Sequence, residues 1–226
     1  MSLLLPGMHP RKALRRELRA ARRSLTLQQQ RRHAASVAKR LARARVFLRA
    51  RRIAFYWPAD GELDPRPLLE QAHRRGKTGY LPVLRPRLNG RRGDRLWFAP
   101  YVPGAPLCPN RFGIPEPRSR RGLRLAWNLD LLMMPLVGFD ADCNRLGMGG
   151  GFYDRTLAYL RRHRAWNRPR LIGLAHACQQ VARIEPQPWD IPLEAVVTEC
   201  VIQVRSFAPQ RRKGREENGT LARYDA

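Results

Sequence analysis

The sequence contains no run of 18 or more apolar residues, so no membrane-spanning helix is expected. Its first ten residues hold only one short apolar patch, Leu3-Leu4-Leu5, with no charge before it. A secretory leader, with its charged start and long apolar stretch, is therefore not expected. Cysteine is scarce. Cys108, Cys143, Cys178 and Cys200 are scattered and form no C-x-x-C pair, which argues against a zinc ribbon or a disulfide framework and for reduced thiols in a cytoplasmic protein. There is no G-K-[ST] phosphate loop, no dinucleotide fingerprint and no nucleophile elbow. No internal repeat or domain linker interrupts the chain.

Acids are scarce too. Eighteen Asp and Glu stand against 44 Lys and Arg, for a formal charge of +26. Such a charge attracts polyanions, nucleic acid included. The cations are 40 Arg and only 4 Lys, alongside 19 Pro, a bias expected of GC-rich codons. Residues 1–52 carry 16 Lys/Arg and one acid, Glu17. The plain reading is a solvated helical face. No aromatic residues are interleaved with these charges, so the stacking platform of a single-strand binder is missing. Nucleic acid is not expected as the partner.

What is present is periodic. Leu14, Leu18, Ala21 and Leu25 form one stripe of a helix over 10–25. Thr26 and Gln29 have capping-box spacing, and Ala34, Val37, Ala38, Leu41 and Ala44 give a second helix its buried side. Asp64-Pro65 starts a helix that runs to about Arg75, with Gly76 after it. Strands are expected at 53–57, 80–84, 96–98, 129–137, 171–175 and from 195. Residues 102–124 read as loop, and a helix is expected over about 152–163. This alternation implies a single three-layer α/β domain, Rossmann-like, with a mostly parallel sheet whose ligands bind at the carboxyl ends of strands. The domain should span 10–205, after a flexible 1–9 and before a disordered basic tail at 206–226.

The stretch Arg145-Leu-Gly147-Met-Gly149-Gly150-Gly151-Phe152-Tyr153-Asp154 follows the apolar strand. Four glycines in five positions allow backbone N–H groups to approach a ligand closely. A following helix start would add unpaired donors, and Arg145 a charged fork suited to phosphate oxygens. The glycines alone serve a tight strand-to-helix turn equally well. Asp154 suits a magnesium ion held beside polyphosphate, or simply complements the helix dipole. Asp190, in Pro188-Trp-Asp-Ile-Pro192, is a second candidate ligand or an ordinary turn residue. His176, just after a strand, reads as structural.

This signature, with Gly138-Phe139-Asp140 before it, resembles that of the 5-formyltetrahydrofolate cyclo-ligase family. Four further blocks agree in order: Arg11-Lys12-Ala13-Leu14-Arg15, Tyr56 to Asp64 with Gly61-Glu62-Leu63, Phe112 to Pro117, and Ile172 to Ala175 followed by Asp190 and Ala195 to Glu199. The resemblance covers roughly residues 10–205. It implies an enzyme that uses ATP and Mg²⁺ to close 5-formyltetrahydrofolate into 5,10-methenyltetrahydrofolate, and no membrane partner is expected. It further implies that Arg11, Lys12 and Arg15 touch ATP phosphates and that Arg145, Gly147, Gly149, Gly150, Gly151, Phe152 and Tyr153 wrap the nucleotide. Asp154 and Asp190 would serve magnesium, Glu62, Tyr56 and Tyr153 the folate, and Arg145 and Asp154 the chemistry. A monomer is expected. Two residues depart from the family pattern: Cys143 stands where glycine is frequent, with Asn144 expected to absorb any left-handed turn, and Phe152 where tyrosine is frequent. The competing readings are an Arg-rich nucleic-acid-binding protein and a sugar-phosphate or acyl-transfer enzyme on a related fold.

Overall fold

The computed structural model describes residues 10–84, 95–162, 168–206 and Tyr224. Six helices are seen among them: α1 (Pro10–Arg23), α2 (Leu27–Leu41), α3 (Arg45–Arg49), α4 (Arg66–Arg74), α5 (Phe152–Thr156) and α6 (Tyr159–Arg162). Eleven strands accompany them: β1 (Arg52–Ala54), β2 (Thr78–Leu84), β3 (Leu96–Pro100), β4 (Leu107–Pro109), β5 (Pro115–Pro117), β6 (Leu131–Met134), β7 (Gly138–Phe139), β8 (Arg145–Leu146), β9 (Arg170–Leu174), β10 (Ala195–Val197) and β11 (Ile202–Val204).

Seven strands form one sheet in the order β11-β10-β9-β6-β1-β2-β3. The five inner strands are parallel, and β3 and β11 close the edges antiparallel. Strand order reverses between β1 and β6, and the carboxyl ends of such a pair leave a crevice for ligands. The side chains explain the layers. Ile53, Leu131, Met133, Ile172, Leu174, Ala195 and Val197 face one core, with Val37, Leu41, Phe47, Leu68 and Leu69 of α2, α3 and α4 packed on them. Ala54, Leu132, Met134, Leu171 and Val196 face the other way, under Phe152, Leu157, Tyr159 and Leu160 of the α5–α6 region. The alternation is the period-2 pattern of strands buried on both faces. A third cluster joins Leu14 and Leu18 of α1 to Val137, Leu146 and Ile184, which seats α1 across the β7–β8 hairpin.

The capping box forms as expected: Gln29 N–H donates to Thr26 Oγ1 at 3.2 Å, and Thr26 N–H donates to Gln29 Oε1 at 2.8 Å. Other expectations need correction. The first helix stops at Arg23, and Ala44 caps the separate α3 instead of extending α2. The 102–124 loop contains the β4–β5 hairpin, and β11 follows β10. The apolar run 129–137 contributes only Leu131–Met134 to the main sheet, because its end turns into β7. Arg145 and Leu146 are strand, not loop. The helix expected over 152–163 is broken into two single turns, so its dipole adds little to the site; its last residue lies outside the described ones. The expectations for 1–9 and the tail also fall outside the described residues, apart from exposed Ser206 and from Tyr224, which is 7% exposed and sits in the main core.

Cys143, not Asn144, takes the left-handed turn between β7 and β8, with φ 58°. Asp140 fixes that turn. Its carboxylate accepts N–H groups of Asp142 (3.1 Å), Asn144 (2.9 Å) and Ile184 (2.9 Å). The strain of a side chain at such a φ, on the order of 1–2 kcal/mol, is opposed by complete burial of Cys143 in the second core.

Candidate functional site

A cavity of about 770 Å³ opens where strand order reverses. Tyr56 and Trp57 follow β1 into it, and Pro135 follows β6. The Gly-rich loop forms one side, α1 another, and β2 and the β4–β5 hairpin with its turn supply Pro82, Leu84, Asn110, Phe112 and Glu116. Of the residues expected at the site, Arg11, Arg15, Tyr56, Glu62, Arg145, Gly147, Gly149, Gly150, Gly151, Phe152, Tyr153, Asp154 and Asp190 all line this cavity. Lys12 does not; it is exposed on α1. His176 lies elsewhere, fully buried.

The cations and carboxylates are interlocked. Arg145 Nη2 donates to Asp154 Oδ1 at 2.7 Å, and Arg11 Nη2 donates to Asp190 Oδ2 at 2.7 Å. Asp190 also accepts the Gln187 N–H at 2.9 Å. Arg15 Nε donates to the Gly147 carbonyl at 2.8 Å, tying α1 to the Gly-rich loop. Burial, and then the neighbouring Arg11, lower the Arg15 pKa from its ordinary value. Arg11 and Arg15 are one helical turn apart and so point the same way.

Most α1 arginines are thus engaged with the protein, while Arg16 stays on the exposed face. Arg22 is fully buried and donates from Nε to the Asp60 carbonyl (2.8 Å) and from Nη2 to Asp60 Oδ2 (2.8 Å). Arg19 reaches the same carboxylate at 2.7 Å, and Arg23 joins it. Burial would raise the Asp60 pKa, but the three guanidinium bonds outweigh it and hold the carboxyl down to about 2. Asp60 and Gly61 both have left-handed backbones, with φ 54° and 74°. The arginines of α1 therefore hold a tight turn that delivers Glu62.

Glu62 is pushed up to about 7 by burial, which the charge of Arg22 and a bond from the Ala59 N–H only partly offset. Arg22 Nη1 stands 3.9 Å from Glu62 Oε1. Burial also raises the pKa of the Tyr153 phenol, and the charge of Glu62 adds to the effect. Tyr56 donates its hydroxyl to the Leu63 carbonyl. Phe152 meets Phe112 edge-on, with centroids 5.7 Å apart, so the ring has a place without the hydroxyl frequent in the family.

Several lining residues escaped the sequence reading. Glu116 is buried and accepts from the Leu84 N–H (2.9 Å), Asn110 Nδ2 (2.9 Å) and Arg120 Nη2 (2.7 Å). It fixes the β4–β5 hairpin as the far wall. Its place in the Phe112–Pro117 block was the available signal, as the Tyr56–Asp64 block was for Trp57 and Asp60; nothing local marked Asn110.

The residues fit a magnesium-bound polyphosphate. Asp154 and Asp190 share one cavity with the guanidiniums of Arg11, Arg15 and Arg145, and buried Arg145 Nε has no hydrogen-bond partner. Gly149, at φ 101°, holds a backbone conformation that L side chains rarely adopt, and it stands against the Arg15 guanidinium.

A sequence profile of the 5-formyltetrahydrofolate cyclo-ligase family matches residues 8–199. The 5-formyltetrahydrofolate cyclo-ligase of Escherichia coli K12 is 42% identical over 182 residues, 80% of this chain and 96% of that protein. The enzyme of Haemophilus influenzae is 40% identical over 81% of this chain and 94% of its own length. The NMR structure of the 5,10-methenyltetrahydrofolate synthetase of Aquifex aeolicus matches with a TM-score of 0.73 at 25% identity, covering 93% of this chain and 99% of that one. Taken with the cavity at the β1–β6 reversal, these likenesses show that the chain belongs to the 5-formyltetrahydrofolate cyclo-ligase family.

Proposed function

We propose that this protein uses ATP and Mg²⁺ to convert 5-formyltetrahydrofolate to 5,10-methenyltetrahydrofolate, ADP and phosphate. The observation that carries the reading is the meeting, in one cavity, of the Arg11–Asp190 and Arg145–Asp154 pairs with Glu62, Tyr56 and Tyr153.

The chemistry sets what the residues must do. The formyl oxygen on N5 is amide-like and leaves poorly. Transfer of the γ-phosphoryl group to it creates a good leaving group. N10 then attacks the formyl carbon, loses its proton, and phosphate departs with the oxygen. No protein nucleophile is required; positioning and charge neutralisation suffice. Arg11, Arg15 and Arg145 would hold the phosphates, with the backbone of Gly147 to Gly151 against them. Asp154 and Asp190 would hold magnesium, which neutralises charge on the transferring group. Pairing each carboxylate with an arginine keeps both charges compensated while the cavity is free of ligand. Glu62, poised near neutrality, offers the folate ring either a donor or an acceptor. Lys12, exposed beside Arg11, is left a peripheral role at the phosphates.

The expected setting is a monomer in the cytoplasm. Among the described residues no helix is long and apolar enough to cross a membrane, and all four cysteines are free. The test is direct: absorbance of the methenyl product should rise when ATP is added to protein, Mg²⁺ and 5-formyltetrahydrofolate. Product formation without ATP, or none with it, overturns the reading.

A further inference from the structure

Outside the nucleotide cavity, three side chains that can ligate metal meet at the carboxyl ends of two sheet strands. His33 comes from the first turns of α2, His176 from just beyond β9, and Glu199 from just beyond β10. Their ligand atoms all lie within 4.8 Å of one another. His33 Nδ1 is 2.9 Å from His176 Nδ1 and 3.5 Å from Glu199 Oε1. None of the three lines the cavity.

Without a cation the cluster must place one proton between two facing imidazole nitrogens. Two imidazole nitrogens that face one another share a single proton. If His176 Nδ1 carries it, the bare His33 Nδ1 faces the Glu199 carboxylate, acceptor against acceptor. If His33 carries it, His176 holds its own proton on Nε2, a buried atom beside the Gly61 backbone. A metal ion between the three atoms removes the first conflict. It also fixes the second tautomer, and the Gly61 backbone beside the His176 ring is the acceptor its Nε2–H would take. Ligating histidines are commonly oriented in this way by a backbone carbonyl. The carboxylate is already positioned, since both its oxygens accept the Ala177 N–H, at 3.2 and 3.0 Å.

We propose that His33, His176 and Glu199 form a binding site for a zinc-class divalent ion, which clasps α2 onto the ends of β9 and β10. Metal–nitrogen bonds of about 2.0–2.1 Å in tetrahedral geometry set ligand atoms about 3.3–3.4 Å apart. The Nδ1 pair must open by a few tenths of an ångström from 2.9 Å, and Glu199 must swing in. The moving side chains are the accessible ones: His33 is 17% and Glu199 15% exposed, which also provides the entry path. Two imidazoles favour zinc, copper or nickel over magnesium and calcium. Two cations lie nearby and oppose the ion. Arg22 is already paired with Asp60 at 2.8 Å, and Arg40 is bonded to the Glu199 carbonyl at 3.1 Å.

The test uses the full chain, freed of metal with a chelator and titrated with Zn²⁺ against an indicator, without ATP or folate. Its outcome is therefore independent of the activity proposed above. Co²⁺ absorption reports the ligand set. One equivalent should bind and raise the melting temperature, as mass action requires. His33→Gln, His176→Gln and Glu199→Gln should each weaken binding by at least about tenfold and remove the thermal shift. Should His176→Gln fail to fold, His33→Gln decides, because its ring is partly exposed. Asp154→Asn and the double variant Cys178→Ser/Cys200→Ser should bind as wild type does. Loss of binding in either control, wild-type affinity in His33→Gln, or no uptake of one equivalent by the wild type overturns the site and leaves a hydrogen-bonded clamp.

Discussion

At the scale of single residues, the two aspartates and Glu62 make opposite demands on their surroundings. As a proposed magnesium ligand Asp154 acts through its charge, and Arg145 stands beside it at 2.7 Å. Asp154→Asn keeps the size and still accepts from Arg145, but loses the negative charge that makes a carboxylate a good magnesium ligand. Turnover should fall more than tenfold, about 1.4 kcal/mol, with the loss seen in both kcat and magnesium dependence. Asp190→Asn should behave alike, and the double variant should be little worse than either, if both act on one ion. Turnover within threefold of wild type would leave Asp154 merely completing a turn. Glu62 is held near neutrality by burial, so its folded pKa of about 7 exceeds its ordinary 4.5. Between those values the folded protein keeps a proton that the unfolded chain has released. Stability attached to this group is therefore full below pH 4.5 and falls as pH rises towards 7. Glu62→Gln should remove that slope. The variant should gain on the order of 1–3 kcal/mol over wild type at pH 8, gain little at pH 4.5, and lose affinity for the folate. Chemical denaturation at the two pH values checks the sign, and an equal gain at both would show that Glu62 titrates normally.

At the scale of elements, the Gly-rich loop is shaped by its backbone. Gly149 has φ 101°, a conformation L side chains rarely adopt, yet a Cβ there would make only ordinary contact with Arg15, at 3.7 Å. Gly149→Ala therefore strains the loop without a collision, at a cost of about 1–2 kcal/mol. If the loop cradles phosphate, KM for ATP should rise about tenfold while KM for the folate barely moves. Equal KM values with only a lower melting temperature would mark the loop as a turn. This element was legible in sequence because glycines are punctuation, and so were the parallel strands, whose apolar runs are read from composition alone. The β4–β5 hairpin was not. Pro109, Pro115 and Pro117 read as loop, but each sits where a two-stranded ribbon tolerates a missing N–H. The split between α5 and α6 was hidden because both turns share one apolar face, Leu157 and Leu160, in the second core. Nor could spacing show that Asp60 gathers three arginines from α1, since that contact joins residues 37 to 41 positions apart.

At the scale of the whole molecule, the question is what a charge of +26 does. Much of the density on α1 is neutralised at home: Arg11 is bound to Asp190, and Arg19, Arg22 and Arg23 to Asp60. Arg120 is likewise bound to Glu116, and Arg168 to Asp130. Lys12 and Arg16 remain exposed on the same helix. Attraction to nucleic acid should then be the sequence-independent kind, in which bound phosphates release counterions and affinity falls steeply with salt. A protein neutralising six to ten phosphates loses about 10³–10⁵ in affinity between 50 and 200 mM salt. Anisotropy of a labelled RNA of about 20 nucleotides should show binding at the lower salt and almost none at the higher, with no preference among sequences. ATP meets a preformed set of guanidiniums within one cavity, so its KM should rise only severalfold over the same range. Tight RNA binding that survives 200 mM salt would reverse the assignment. The surface charge would then be a recognition feature, and the pairing of the α1 arginines would be only part of its use.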